Sequence, residues 1–591
     1  MVVQAFSWMA VLLWPLAAQQ VCGPTPTYTP CELVFELSEE EAKQHPDPYA
    51  SVDLRAELRS PRARTILMTA FWDGGRRMVI RFTPTDPGVW DFRITSNIQR
   101  FNGQLGQIQA TESKDAGFLT PANVHHWRST ESLLAHLWMG DTFLDFASAP
   151  EAQFQAYLEA RARQKFTHIR GLLLPTHAKG AFTAKGQPDP AWFQQVDKRI
   201  SAINQKGLFT DLILARNGAE FESVVSGWQA RDRFMRYVTS RYAAFHLTWQ
   251  LFGEFESHAG SRALMKELGG LLVKYDPYKH PRSTGAAMSS APAAPDGWLN
   301  FVIHHSTDHA VGAIEHQIHP HPFVNTALSD EGLKPEEFAR RLWNASMNGQ
   351  YPTAILTPGQ PDSASAQIMK AWNEFFLRTR YWELEPYFDV DGARSLALPG
   401  VEYILYVEKG GYVELLMERH SYDIYWFNPL TGELRKEKKD FKGEKYAAEP
   451  PTKTQDWVLH LSRDGRKEGM LRSYKFESRP NLMQEIEQNP QKMPFDLLAP
   501  ATDTLSLSKP SPYEVKIKRE TRGTRAMMYL WTGEVPTEGA GYRILGTGAT
   551  GTLKIPRNIA KLFPAVFNMR LYALNAVGKV YALDRVFRLV E

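Results

Sequence analysis

The stretch Trp249-Gln250-Leu251-Phe252-Gly253-Glu254-Phe255-Glu256 reads as an apolar strand that ends in a carboxylate. In a barrel of parallel strands the active site lies at the C-terminal strand ends. A carboxylate held there beside aromatic rings keeps its proton to higher pH and works as a general acid. Spacing alone leaves a second reading equally open, in which Glu254 caps the next helix or pairs with an arginine.

The surrounding chain supports the barrel. Apolar runs at 169–174, 208–214, 248–252 and 301–304 alternate with amphipathic segments at 150–165, 192–206 and 231–245. Repeated strand-then-helix units over about 250 residues predict a (β/α)₈ barrel, placed at residues 121–385. An open doubly wound sheet is the alternative, but no glycine-rich phosphate turn follows the first strand.

The flanks read as β-structure, so the expected fold class is multidomain α/β plus all-β. Val52-Asp53-Leu54-Arg55-Ala56-Glu57-Leu58 alternates apolar and polar residues, and turns follow at Asp73-Gly74-Gly75 and Asp86-Pro87-Gly88. This predicts an immunoglobulin-like β-sandwich over 22–120. Beyond the barrel, Lys409-Gly410-Gly411 and Asn428-Pro429-Leu430-Thr431-Gly432 mark hairpin turns, which predict a β-sandwich over 386–465. A polar stretch over 466–505 reads as a linker, and 506–591 as a C-terminal β-sandwich.

The chain has 591 residues, which suggests three to five domains. Its 68 basic against 65 acidic residues leave +3, too balanced for a nucleic-acid partner bound through phosphates. Residues 6–18 are apolar but shorter than the roughly 20 needed to span a bilayer. They read as the core of a secretory leader over 1–18 that ends at Leu16-Ala17-Ala18, although residues 1–10 lack Lys and Arg. No later run reaches spanning length, so the expectation is an exported, soluble protein. Cys22 and Cys31 are the only cysteines. In an oxidising compartment they would close a small disulfide loop, and two thiols alone make no structural zinc site.

Two other motifs read more blandly than they look. Gly546-Thr547-Gly548-Ala549-Thr550-Gly551 spells a dinucleotide fingerprint but lies in a β-rich region, so hairpin glycines are expected there. His304, His305, His309, His316, His319 and His321 crowd one segment, but their spacing matches no metal-binding helix motif, and Pro320 and Pro322 break any helix. No metal and no cofactor are expected. A barrel-loop histidine that bonds substrate hydroxyls is the preferred reading.

Three stretches resemble the apiosidase-like glycoside hydrolases, which have an N-terminal β-sandwich and a (β/α)₈ barrel. They are Phe71-Trp72-Asp73-Gly74-Gly75 with the following 79–90, Trp138-Met139-Gly140-Asp141-Thr142 with 157–169, and Trp249–Glu256. Segment 401–432 also resembles the β-domain that follows the barrel in these proteins. The resemblance gives Glu254 the acid/base place and puts Gly253 where the family has asparagine. The family's second carboxylate is expected after strand seven, where its acidic pair falls on Thr326-Ala327 and only Glu331-Gly332 survives. A further family carboxylate falls on Leu356.

Hydrolysis of a glycosidic bond uses two carboxylates, and a methyl group at 327 replaces neither. Either Glu331 or Asp330 has taken the role, or Asp141, Asp145 or Glu256 serves, or the barrel only binds. The reading is a glycoside hydrolase acting on plant or microbial poly- or oligosaccharides. Glu254 would be acid/base and Glu331 nucleophile or base, with Asp141, Trp249, His304 and His305 lining the cleft. The alternative is a non-catalytic carbohydrate-binding protein on a degenerate barrel.

Overall fold

A computed structural model of the chain describes residues 19–590 except 21, 258–259, 358, 361, 464–482, 484, 536–541 and 554–565. The expected leader and much of the expected linker lie outside the described residues. The chain divides into two compact units, Met1–Lys114 with Arg236–Ala244, and Asp115–Met235 with Phe245–Glu591.

The first unit holds a four-stranded and a five-stranded sheet. The alternation read at 52–58 becomes the strand Leu54–Arg59, whose Leu54, Ala56 and Leu58 are fully buried. Ala56 and Leu58 pair across to Ile94 and Phe92 on the strand Gly88–Ser96. Gly74 and Gly75 both adopt positive φ and turn the chain between Phe71–Trp72 and Arg77–Phe82. Cys22 and Cys31 form a disulfide with a Cα–Cα distance of 5.7 Å.

The second unit contains the barrel. Its eight strands are β1 (Gly140–Thr142), β2 (His168–Leu172), β3 (Phe209–Ala215), β4 (Leu247–Phe252), β5 (Arg282–Ser283), β6 (Val302–His304), β7 (Phe323–Ser329) and β8 (Gln350–Ile355). All strand pairs are parallel, and β8 returns to pair with β1. Between β5 and β6 the ring is closed by the following segment, where Ser289 bridges His304 and Ser290 N–H bonds Ile303 O at 2.9 Å.

Seven helices cover the strands. They are α1 (Glu151–Arg163), α2 (Pro190–Gln205), α3 (Trp228–Tyr242), α4 (Ser261–Tyr275), α5 (His309–Ile318), α6 (Pro335–Met347) and α7 (Ala364–Phe376). Every residue of β3 and β4 is buried, as expected for strands covered on both faces.

Residues Glu385–Arg463 form one seven-stranded sheet around a single aromatic core that includes Tyr403, Tyr422, Trp426 and Trp457. The C-terminal part is a sandwich of a three-stranded and a five-stranded sheet sharing the core of Phe495, Tyr513, Trp531 and Phe567. It begins earlier than expected. Strands Phe495–Ala499 and Thr504–Ser506 fall inside the predicted linker, because Phe495 and Leu505 are buried in that core. The 546–551 glycines form a turn, with φ +93° at Gly548, but not the expected hairpin. Arg543–Thr547 pairs in the five-stranded sheet and Thr550–Leu553 in the three-stranded one, so the turn carries the chain from one sheet of the sandwich to the other.

Candidate active site

Glu254 lies one residue past β4 and is exposed at the C-terminal end of the barrel. Its position is set by the backbone. Glu254 N–H donates to Arg216 O at 3.2 Å, and Gly253 N–H to the same carbonyl at 3.1 Å. Two glycines permit the close approach. A Cβ on Gly253 would meet Arg216 O at 3.1 Å, and one on Gly285 would meet Gly253 O at 2.1 Å. An asparagine at 253 would therefore crowd the loop after β3.

Glu256 stands two residues further, in a single 3₁₀ turn. Its Oε2 accepts Ala287 N–H at 2.9 Å from the loop after β5. The side chain reaches solvent at the mouth, yet desolvation by the atoms packed around it is the first cause that pushes its carboxyl up to about 7. The Ala287 bond opposes this, the Glu254 charge adds to it, and Arg543 of the C-terminal sandwich pulls weakly the other way.

His305 follows β6 and completes the constellation. Its Nδ1 lies 3.0 Å from Thr326 Oγ1 on β7. Burial and the Arg170 charge lower its pKa, while Thr326 and Glu254 partly offset them, so the ring is neutral at pH 7. Below it a polar network fills the barrel interior. Arg170 Nη2 donates to Gln250 Oε1 at 3.3 Å, Gln250 Nε2 to Asp211 Oδ2 at 2.5 Å, and Thr248 Oγ1 to Asp211 Oδ1 at 2.8 Å. Burial pushes Asp211 to about 6 against the pull of Arg170 and these bonds. Arg170 and Ala287 carried no motif that singled them out, and Thr326 stood out only as a place where the resemblance expects an acidic residue.

The structure thus brings Glu254, Glu256 and His305 together and sends the other expected residues elsewhere. Asp141 is fully buried and points away from the mouth, taking bonds from Arg161 Nε (2.6 Å), Tyr157 OH (2.7 Å) and Leu356 N–H (3.1 Å). Trp249 is 2 % exposed and donates to Asp276 Oδ2 at 3.1 Å behind β4, so it is core rather than a sugar platform. His304 is buried with its Nδ1 3.4 Å from Asn325 Nδ2, and desolvation lowers it to about 4. Glu331 sits in the exposed turn after β7, its N–H on Ser329 Oγ at 3.2 Å, and no described interaction links it to Glu254. Asp330 is engaged by Thr357 N–H and Oγ1, both at 3.1 Å.

Where the family has its second carboxylate, β7 carries a bulge between Asn325 and Leu328. Ala327 N–H bonds Asn325 Oδ1 there at 2.9 Å, so only a hydroxyl and a methyl group are offered.

The parallel eight-stranded barrel carries carboxylates just behind its fourth strand, at the end where such barrels hold their active sites. Residues 129–347 match the family described as "Apiosidase-like, catalytic domain", and residues 25–97 match "Domain of unknown function (DUF5060)". A protein of Bacteroides vulgatus ATCC 8482 assigned to the glycoside hydrolases shares the fold with a TM-score of 0.64 and 17% identity, over 75% of this chain and 100% of its own. A second structure, described as a glycoside hydrolase, aligns with a TM-score of 0.51 and 13% identity, over 59% of this chain and 97% of its own. No curated protein matches the chain. Among the described residues no helix is long and apolar enough to cross a membrane.

Proposed function

We propose that the protein hydrolyses O-glycosidic bonds of plant or microbial poly- or oligosaccharides at the mouth of the barrel, after export to the periplasm or cell exterior. The observation that carries the reading is the pair behind β4. Two carboxylates at one strand end can divide acid and base roles. Glu256, raised to about 7, is the proposed proton donor, and Glu254 at the strand end is its proposed partner. His305 and Arg170 provide donors for sugar hydroxyls. The Cys22–Cys31 disulfide supports an oxidising compartment.

One observation favours a second reading, binding without hydrolysis: Ala327 and the buried Leu356 stand where the resemblance expects carboxylates. A glycan-release screen separates the two. Release by wild type should fall by roughly 100-fold or more in Glu254→Gln and Glu256→Gln and persist in Glu331→Gln. Absence of release with retained glycan binding would establish the binding reading instead.

A further inference from the structure

The histidines crowded between 304 and 321 divide between two ends of the barrel. His304 and His305 stay at the C-terminal end of β6. His316, in the last turn of α5, comes to the opposite end, where its ring lies 5.7 Å from Phe323 at the start of β7. There it meets His125, from the hairpin that precedes the barrel, and Glu385, the first residue of the sheet that follows it. The ligand-capable atoms of His125, His316 and Glu385 all lie within 4.8 Å of one another.

The hydrogen bonds around this trio assign its protons. Tyr351 OH lies 2.7 Å from His126 Nδ1, and His126 Nε2 lies 3.2 Å from Glu385 Oε1. The phenol donates to Nδ1 and Nε2–H donates to the carboxylate. On the other side His125 Nε2 lies 3.1 Å from His319 O, an acceptor only, so the nitrogen carries the hydrogen. That leaves the His125 Nδ1 lone pair facing Glu385 Oε2 at 3.0 Å. Two lone pairs oppose each other unless a cation or a shared proton lies between them. His316 Nε2 is 3.5 Å from the same oxygen, and this ring is 1 % exposed with no hydrogen-bond partner for that nitrogen.

We propose that His125 Nδ1, His316 Nε2 and Glu385 Oε2 bind a zinc ion. Imidazole and carboxylate are zinc donors, and donor atoms on one tetrahedral ion stand roughly 3.4 Å apart. The two histidine-to-carboxylate separations, 3.0 and 3.5 Å, are near that, while the His125 and His316 rings, whose centroids are 3.8 Å apart, swing apart to aim both lone pairs at the ion. The outer bonds are those a metal site requires. The His319 carbonyl fixes the His125 tautomer, and His126 holds the free carboxylate oxygen. The site lies at the N-terminal face of the barrel, where residues serve stability rather than catalysis. It ties together the hairpin before the barrel, helix α5 and the sheet after it; the three protein donors leave the fourth tetrahedral position to water.

The test is zinc titration of full-length protein stripped by a chelator, followed by calorimetry and thermal melting. The expected result is one tightly held equivalent per chain and a Tm that rises with zinc and falls on chelation. Glu385→Gln and His316→Ala should each weaken zinc binding by roughly 10–100-fold, while Glu254→Gln leaves it unchanged. Glu385→Gln preserves shape, and its circular dichroism spectrum shows whether the fold persists should His316→Ala fail to fold. Failure of wild type to take up zinc, or uptake by a folded Glu385→Gln equal to wild type, overturns the proposal.

Discussion

Glu256 accepts the backbone N–H of Ala287 at 2.9 Å, so the turn behind β4 and the loop behind β5 share one hydrogen bond at the barrel mouth. The bond orients the carboxyl without cancelling its desolvation, which leaves its pKa at about 7. A reaction that uses this proton slows as pH rises through about 7. The kcat/KM profile should show that alkaline limb in wild type. Glu256→Gln should lose both the limb and most of the rate. A limb that persists unchanged in Glu256→Gln would assign the proton to another group.

Glu315 provides a stability test independent of catalysis. It is buried on α5, accepts Ser289 Oγ–H at 2.6 Å, and is pushed by burial from the ordinary 4.5 up to about 8. A carboxyl raised in the folded state stabilises most below its unfolded pKa, and that stability is lost as pH rises through the folded one. The window is therefore between those two values, and the loss across it is roughly 3–5 kcal/mol. Glutamine cannot ionise, so Glu315→Gln should show a flatter Tm from pH 5 to 8 than wild type. Parallel Tm profiles for the two proteins would contradict this.

Asp141 and Trp249 should separate folding from function. Removing one member of the buried Asp141–Arg161 pair strands the other charge, so Asp141→Asn should cost roughly 3–5 kcal/mol in urea unfolding. Trp249→Phe deletes the bond to Asp276 and leaves a buried acceptor short of a donor, at roughly 1–3 kcal/mol. Both variants should keep the wild-type KM for released glycan, because neither side chain reaches the mouth. A raised KM in Trp249→Phe would return that ring to the cleft.

The same residues show what the sequence could and could not disclose. The apolar run before Glu254 and the glycine turns are local signals: the run became β4, and the turns at 73–75 and 428–432 became hairpins. Glu402–Val407, ahead of the 409–411 turn, pairs instead with Trp457–Arg463 rather than with the strand that follows the turn, because partner choice is not a local signal. Period two along β4 also contains the fate of Trp249. Thr248 and Gln250 bond Asp211 inside the barrel, so the residue between them must face outward. The histidine cluster misleads for a different reason. The ten residues of α5 carry the chain roughly 15 Å from one end of the barrel toward the other, which separates His304 from His316. The partners of His316 are contributed by segments remote in sequence, and no spacing rule reaches them. Glu331 is offered by the Glu-Gly that survives of the family stretch, but it lies two residues beyond the end of β7, in an exposed turn.

Helix α5 also carries the C-terminal sandwich, and this contact divides into an apolar and a polar part. Val311 and Ile314 pack with Leu530, Leu574 and Val580 in one buried cluster. At the helix N-terminus, Asp308 caps Ala310 N–H at 2.8 Å with one oxygen and accepts Thr547 Oγ1–H at 2.6 Å with the other. Leu530→Ala removes buried methyl groups and should cost roughly 2–5 kcal/mol. Thr547→Val removes one bond to a carboxylate that keeps its cap, and should cost roughly 1–2 kcal/mol. Limited proteolysis followed by mass spectrometry should therefore release the C-terminal sandwich faster from Leu530→Ala than from Thr547→Val. The reverse order would show that the Asp308–Thr547 bond, rather than the apolar cluster, holds the sandwich to the barrel.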